Sequence, residues 1–185
     1  MTKVLPLQIE HYENPIKELI GKSIMSVNYY EIGYEIDCNN PYWNKVDHHS
    51  LDYGLEIKTN DSQTYYFIWD KVFIQYDLKF VKGKIEQEFA KNSNIKKHLI
   101  TNSKWKELLG QKIISIESIW VNCSINGDKK HYPETIKLQF ENNKSIWVSA
   151  VEISENITPY MADHVSVFFD EMTMRKYNVL TESEL

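Results

Sequence analysis

The segment Ile16–Val27, which reads IKELIGKSIMSV, has a close counterpart in Trp105–Ile116, which reads WKELLGQKIISI. The Lys-Glu-Leu triplet, the glycine, and the isoleucine and serine that follow all align. The residues before each glycine predict one short helical turn, because a glycine just past a helix adopts a positive φ at no steric cost. The residues after each glycine alternate between two faces, as a β-strand does.

The later parts of the two halves also match. Leu55–Asp61 aligns with Ile136–Asn142, and Thr64–Phe67 aligns with Ser145–Val148. Each pair predicts a hairpin, because two β-prone stretches flank a turn rich in Asn and Asp. A match at both ends of each half favours an internal duplication with a period of about 85 residues over two unrelated β-meanders of similar composition.

We therefore predict an α+β fold that is mostly β, with two tandem divergent β-meander units of antiparallel strands, each opened by a short helix. The first unit spans residues 1–82, a polar, lysine-rich junction spans 83–100, and the second unit spans 101–185. In the second unit we also expect a strand at Val165–Phe169, followed at Asp170–Tyr177 by a last helical turn or an edge segment. The sequence leaves open whether the units form one continuous domain or share a sheet.

The composition is that of a folded protein: 42% of the 185 residues are hydrophobic and 13% are aromatic. The net charge of −5 and the scattered lysines argue against a nucleic-acid partner, since phosphate recognition needs clustered basic residues. The first residues lack the apolar core of a signal peptide, and no apolar run approaches the ~18 residues of a membrane helix. We expect a cytoplasmic protein with no membrane association.

Neither a cofactor site nor a metal site is predicted. The cysteines, Cys38 and Cys123, are expected to be reduced thiols, because no Cys/His spacing typical of zinc is present. The one local histidine cluster is Asp47-His48-His49, and adjacent histidines on a strand point in opposite directions. Nucleophile turns and glycine-rich phosphate loops are also missing from the sequence. We therefore name no catalytic residue.

The segment Tyr29–Tyr53 combines Tyr, Trp, Asn and acidic residues, and its only basic side chain of the Lys or Arg type is Lys45. Aromatic residues with polar tips provide large contact areas at low entropic cost, and acidic residues attract a basic partner. The alternative is that these rings pack over the sheet among solvated acids. The predicted partner-binding residues are Tyr29, Tyr30, Glu31, Tyr34, Glu35, Asp37, Tyr42, Trp43, Asp47 and Asp52.

The second half carries a pattern that resembles one found in bacterial proteins. The matching stretches are Trp105–Gly110 (WKELLG), Pro133–Glu141 (PETIKLQFE), Ser145–Ile153 (SIWVSAVEI) and Val165–Asp170 (VSVFFD). Such small acidic proteins look similar to the immunity proteins of polymorphic toxin systems, which bind a cognate toxin and block it. This resemblance implies a toxin domain as the protein partner and transfers no catalytic residue. The acidic residues of Tyr29–Tyr53 predict that such a toxin domain is basic.

The leading hypothesis is a non-enzymatic protein-binding module of the immunity type, which occludes a toxin through its Tyr/Trp/acidic surface. One alternative is a small-ligand or carbohydrate-binding β module, in which Trp43 and nearby tyrosines stack on the ligand. A second alternative is a hydrolase with an unrecognised site around Asp47, His48 and His49. A structural or assembly role for the paired halves is also open, and the sequence does not indicate the oligomeric state.

Overall fold

The computed structural model describes residues 12–33, 45, 47–90, 94–101, 103–125, 127–153 and 163–179. Strands dominate, and in chain order they are β1 (Ile24–Ile32), β2 (His48–Leu51), β3 (Gly54–Thr59), β4 (Thr64–Asp70), β5 (Asp77–Lys82), β6 (Ile95–Leu99), β7 (Ile113–Ile125), β8 (Asp128–Phe140), β9 (Ser145–Ser149) and β10 (Val165–Phe168). The described helices are short: α1 (Asn14–Lys17), α2 (Ser103–Lys106), α3 (Glu171–Lys176) and a 3₁₀ turn at Ile85–Glu88. The prediction of a mostly β protein with short helices is confirmed.

The strands form two antiparallel sheets of five strands each. The first sheet has the order β5-β4-β3-β1-β6, and the second has the order β2-β10-β9-β8-β7. Most neighbours in a sheet are also neighbours in the chain, as antiparallel meanders require. Strand β1 pairs with β3 and β6, which do not follow it directly in the chain, and strand β2 comes from the first half of the chain but pairs with β10 in the second sheet.

Both predicted hairpins are confirmed. Strands β3 and β4 pair with Leu55 opposite Phe67, and strands β8 and β9 pair with Leu138 opposite Ile146. Each turn places a polar residue in the left-handed region, with a φ of 63° at Ser62 and a φ of 63° at Asn143.

The two halves make reciprocal hydrogen bonds through aligned residues. Gly21 N donates to Ile113 O at 2.8 Å, and Gly110 N donates to Ile24 O at 2.8 Å. In the sequence alignment Gly21 matches Gly110, and Ile24 matches Ile113. The φ angles of 84° at Gly21 and 82° at Gly110 confirm that both turns need a conformation that glycine adopts without strain.

A β-bulge occurs at the same aligned position in both halves. In β1 the register shifts between Ile24 and Ser26, and in β7 it shifts between Ile113 and Ser115. Such a bulge adds one residue to one strand and increases the local twist. Strands β1 and β7 therefore begin in the same way and hold the same position beside their hairpins.

Residues 83–100, which the sequence suggests as a junction, contribute structure to the first sheet. Strand β6 pairs with β1, with His98 opposite Tyr29 and Lys96 opposite Glu31. The 3₁₀ turn is held on the outer face of the sheet, where Ile85 N donates to the carboxylate of Glu56 at 3.1 Å. This segment covers one edge and part of one face of the first sheet.

One large hydrophobic core draws on both sheets and on the turns that open each half. Phe67 of the first sheet and Phe140 of the second belong to the same buried cluster, as do Ile16 and Trp105. Each such side chain contributes roughly 1.5–3 kcal/mol when it is buried. A smaller cluster under α3 contains Trp147 and Met174. In the described part of the chain, no helix is long and apolar enough to span a bilayer.

Candidate functional site

The histidine pair predicted to point in opposite directions does so on β2, the edge strand of the second sheet. His48 stacks on Phe168 and contacts Tyr177, which belong to β10 and to the end of α3. His49 faces the other way and packs against Tyr29 and Phe169. Both imidazoles are buried, with 3% of His48 and none of His49 exposed. They therefore belong to two separate polar groups.

His49 belongs to a buried chain of hydrogen bonds that joins three elements. Trp105 Nε1 donates to the hydroxyl oxygen of Tyr29 at 2.5 Å, and that oxygen lies 2.7 Å from Nδ1 of His49. Burial, and next the positive charges of Lys104 and His48, lowers the pKa of His49 to about 3. A neutral imidazole can accept the tyrosine proton at Nδ1, which fits this arrangement.

Asp47 is the centre of the second polar group. Its carboxylate accepts hydrogen bonds from Lys176 Nζ at 2.6 Å, from His48 Nδ1 at 2.8 Å and from the Tyr177 hydroxyl at 3.0 Å. Burial alone would raise the pKa of Asp47, but the bonds from Lys176, His48 and Tyr177 hold it well below its usual range. Burial lowers the pKa of His48, although Asp47 partly opposes that effect.

Glu31 is an acidic residue enclosed near the end of β1. Only 1% of it is exposed, and neither carboxylate oxygen has a hydrogen-bond partner in the described structure. Burial, with a contribution from the negative charge of Asp52, raises the pKa of Glu31 to about 8. His98 of β6 lies nearby, with its Nε2 3.7 Å from Oε2 of Glu31. A largely protonated carboxyl group near neutral pH follows from that environment.

Two contacts hold together the ends of the segment that connects β1 to β2. Ile32 N donates to Oδ1 of Asp52 at 2.7 Å, and the Tyr29 hydroxyl lies 2.7 Å from His49 Nδ1. Since β1 belongs to the first sheet and β2 to the second, these contacts join the two sheets at the base of the connection. The connection begins and ends on well-packed strands.

The described residues of the predicted partner-binding set lie mainly in the interior. Tyr29, Tyr30 and Glu31 are at most 1% exposed, so their side chains do not form an exposed contact surface. Tyr30 donates to Glu86 at 2.6 Å, which holds the 3₁₀ turn against the first sheet. Asp47 and Asp52 are partly exposed and already accept hydrogen bonds. The other members lie outside the described residues: Tyr34, Glu35, Asp37, Tyr42 and Trp43.

Metal binding finds no support in the part of the chain that the structure describes, because no group of three His, Cys, Asp or Glu side chains there could hold an ion. Cys123 is a free thiol on β7 that is partly exposed, and Cys38 lies outside the described residues. Burial raises the pKa of the Cys123 thiol, which disfavours the reactive thiolate.

Several members of these polar groups are not indicated by the sequence. No sequence pattern assigns a polar role to Trp105, yet its indole nitrogen completes the Tyr29–His49 chain. Lys176 and Tyr177 reach Asp47 from the far end of the chain, and no local pattern links them. The tryptophan itself was the one usable signal, because a buried indole N–H usually requires an acceptor.

Comparisons with protein-family models, with curated proteins and with solved structures find no match for this chain.

Proposed function

We propose that this protein is a non-enzymatic protein-binding module that acts in the cytoplasm, of the type that neutralises a toxin by occlusion. The segment proposed to contact the partner is 34–44, which carries Tyr34, Glu35, Asp37, Tyr42 and Trp43. Acidic and aromatic side chains of this kind suit a basic, partly apolar partner surface.

The observation that carries the proposal is the pair of contacts at the base of that segment. Tyr29 with His49, and Ile32 with Asp52, fix its flanking strands on two packed sheets. Binding residues are often carried by connections that a rigid scaffold positions, because the scaffold lowers the entropic cost of ordering them. The buried aromatic residues Tyr29 and Tyr30 are assigned to the scaffold, and the binding role to residues 34–44.

The placement of the histidines favours binding over hydrolysis. Nε2 of His48 is the atom that would act as a general base in an Asp-His pair, and it is buried without a hydrogen-bond partner in the described structure. A general base has to come within about 3 Å of the proton that it removes. The carboxylate of Asp47 also accepts hydrogen bonds from Lys176 and Tyr177. These bonds favour a structural role for the Asp47–His48 pair.

We also infer that the two halves arose by duplication of one unit. The reciprocal bonds of Gly21 with Ile113 and of Gly110 with Ile24 support this inference, as do the bulges at the same aligned position. Two unrelated meanders would have no reason to exchange hydrogen bonds through aligned residues. Under this inference the longer connection after β1 is a specialised feature of the first half.

The test is binding to the product of the adjacent reading frame, measured by calorimetry at low and high salt with the full chain. Replacing Glu35 and Asp37 with Lys should weaken binding at least tenfold and reduce its salt dependence, and Trp43→Ala should weaken it comparably. The matched control replaces Glu107 and Asp128 with Lys, which changes the net charge equally at exposed sites outside the segment.

Three outcomes count against the proposal. The first is that no complex forms and co-expression leaves toxicity unchanged. The second is that the charge reversal within 34–44 has no more effect than the control. The third is a specific shift in melting temperature with a sugar panel, which would favour the carbohydrate-binding alternative.

A further inference from the structure

Strand β1 loses its partner on one side just before it ends. The pairing with β3 stops at Tyr30, which lies opposite Gly54. The N–H of Ile32 points to the same side of the strand as the N–H of Tyr30, two residues earlier, and it donates to Oδ1 of Asp52 at 2.7 Å. In the described structure this bond takes over from the sheet pairing. We call Ile32 and Asp52 the clamp, because they hold the end of β1 to the turn between β2 and β3.

Glu31 lies beside the clamp and lacks hydrogen-bond partners. Only 1% of the residue is exposed, and neither carboxylate oxygen has a partner in the described structure. Asp52 adds a negative charge that opposes the ionisation of Glu31. An ionised carboxylate that is buried without a donor is far costlier than a protonated carboxyl group. The closed clamp therefore favours a protonated Glu31.

The charged groups that face Glu31 do not offset this cost. On β6, Nε2 of His98 lies 3.7 Å from Oε2 of Glu31, and Lys96 is opposite Glu31 in the register. Burial, and next the charge of Lys96, lowers the pKa of His98, so its imidazole is neutral at neutral pH. The charge of Lys45 favours ionisation, but burial and then Asp52 outweigh it and raise the pKa of Glu31 to about 8.

We propose that the clamp is a pH-sensitive contact, which is closed while Glu31 is protonated and opens when Glu31 ionises. Opening separates Glu31 from Asp52 and admits water to the carboxylate. This inference deepens the proposed function and rests on it in one respect. The connection that carries residues 34–44 leaves β1 directly after Ile32, so an open clamp no longer fixes where that connection begins. The proposed partner should therefore bind the closed form better.

The pH range in which the clamp responds follows from its two forms. Glu31 has its ordinary pKa of 4.5 when water reaches it, and a pKa of about 8 when the clamp is closed. Opening is therefore least favourable below pH 4.5, and it becomes about tenfold more favourable with each pH unit between 4.5 and 8. Above pH 8 Glu31 is ionised in both forms, and the opening equilibrium no longer changes.

Amide hydrogen exchange of Ile32 in the full chain tests the clamp without a partner. The protection factor is the intrinsic exchange rate divided by the observed rate. It should fall about tenfold per pH unit between about pH 5 and 8 and then level off. Low urea concentrations should leave it unchanged, because a local opening exposes little surface. Amides of β3 that exchange through global unfolding should lose protection in the same urea.

Three variants test whether Glu31 causes the effect. Glu31→Gln cannot ionise, so the pH dependence of Ile32 protection should disappear. His98→Lys provides a positive charge beside Glu31, so the closed form tolerates the ionised carboxylate and the pH dependence should become shallower. This second variant tests the clamp even if Glu31→Gln does not fold. Glu117→Gln is the matched control, since it removes the same charge at an exposed site on β7 and should leave the pH dependence unchanged.

Several results would overturn the proposal. One is an Ile32 amide that is unprotected at about pH 5, or whose protection does not change with pH. Another is the same pH dependence in Glu31→Gln as in the native chain. A third is a urea response of Ile32 equal to that of β3, which would mean that only global unfolding exposes Glu31.

Calorimetry with the product of the adjacent reading frame tests the consequence for binding. Between about pH 6 and 8 the native chain should lose affinity severalfold more than Glu31→Gln does, because the partner then has to close the clamp as it binds. Equal losses in both proteins would overturn the regulatory role. If no complex forms, the proposed function fails, whereas the exchange of Ile32 still decides whether the clamp responds to pH.

Discussion

The hydroxyl of Tyr29 lies 2.7 Å from Nδ1 of His49, and this contact joins β1 of one sheet to β2 of the other. The same oxygen accepts the indole proton of Trp105, whose helix opens the second half of the chain. A polar chain inside an apolar core is costly unless its members bond each other in good geometry. We therefore expect these hydrogen bonds to favour the arrangement in which β2 of the first half joins the second sheet.

Replacing Tyr29 with Phe should destabilise the protein by about 1–3 kcal/mol in urea unfolding, because the hydroxyl bonds two buried side chains from distant elements. Tyr132→Phe is the matched control. Tyr132 is also buried, and its hydroxyl bonds Glu134 two positions away on the same strand. The control should lose less stability. An equal loss in both variants would contradict the cross-sheet role of the Tyr29 hydroxyl.

His49 should make the protein sensitive to acid. The fold holds this imidazole neutral, with a pKa of about 3, whereas the unfolded chain takes up a proton below about 6.5. Its contribution to the free energy of unfolding is therefore present above pH 6.5 and is lost as the pH falls toward 3. The His49→Gln variant should lose less stability than the native chain over this interval.

Urea unfolding at several pH values gives the free energy of unfolding of the native chain and of His49→Gln. The difference between the two values at each pH tests the role of His49. Tyr29→Phe is the control, since it alters the same hydrogen-bonded chain without removing the imidazole. The difference in the free energy of unfolding between Tyr29→Phe and the native chain should change little between pH 6.5 and 3. The corresponding difference for His49→Gln should change more. If both variants give the same pH dependence, then His49 does not control acid stability.

Much of the fold follows from local sequence patterns, and the crossing of β2 does not. The hairpin turns at Ser62 and Asn143 and the left-handed glycines are set by a few adjacent residues. The pairing of His48–Leu51 with β10 depends on residues more than 100 positions away, and a four-residue strand has too short a pattern to reveal its partner. The many tyrosines between Tyr29 and Tyr53 fitted both a binding surface and a packed interior. Tyr29 and Tyr30 belong to the interior, because their hydroxyl groups form hydrogen bonds to His49 and Glu86 within the molecule.

Glu31 should limit stability at alkaline pH. Its pKa rises from an ordinary value of 4.5 to about 8 in the fold, chiefly because of burial and then because of Asp52. Its stabilising contribution is therefore complete below pH 4.5 and is lost as the pH rises through 8. Relative to the native chain, Glu31→Gln should gain stability between pH 5 and 8, by up to about 1.4 kcal/mol per pH unit.

Carboxyl ¹³C NMR of Glu31 measures this titration directly, and its midpoint should lie near pH 8. Removing the nearby charge with Asp52→Asn should lower the midpoint, because one like charge no longer opposes ionisation. A midpoint close to 4.5 in the native chain would show that the side chain is better solvated than its 1% exposure indicates.

Asp170 should contribute to stability as the N-cap of α3. Its carboxylate accepts from Thr173 N at 2.8 Å and from the Thr173 hydroxyl at 2.9 Å, and α3 covers the outer face around Trp147. Asp170→Ala should cost about 0.5–2 kcal/mol, whereas Asp170→Asn should retain most of the effect. Urea unfolding and the near-UV circular dichroism of the tryptophans report the change. Equal losses in both variants would show that capping is not what Asp170 contributes.

The aligned glycines give a test of the duplication itself. Gly21 and Gly110 have φ angles of 84° and 82°, and a Cβ at either position would meet no atom within 4 Å. Alanine therefore introduces only backbone strain, which costs roughly 1–2 kcal/mol in the left-handed region. If the two turns are copies of one device, then Gly21→Ala and Gly110→Ala should lose nearly equal stability in urea unfolding, and the double variant should lose about their sum. A marked inequality would mean that the turns share a conformation without sharing an energetic role, which would weaken the case that one unit was copied.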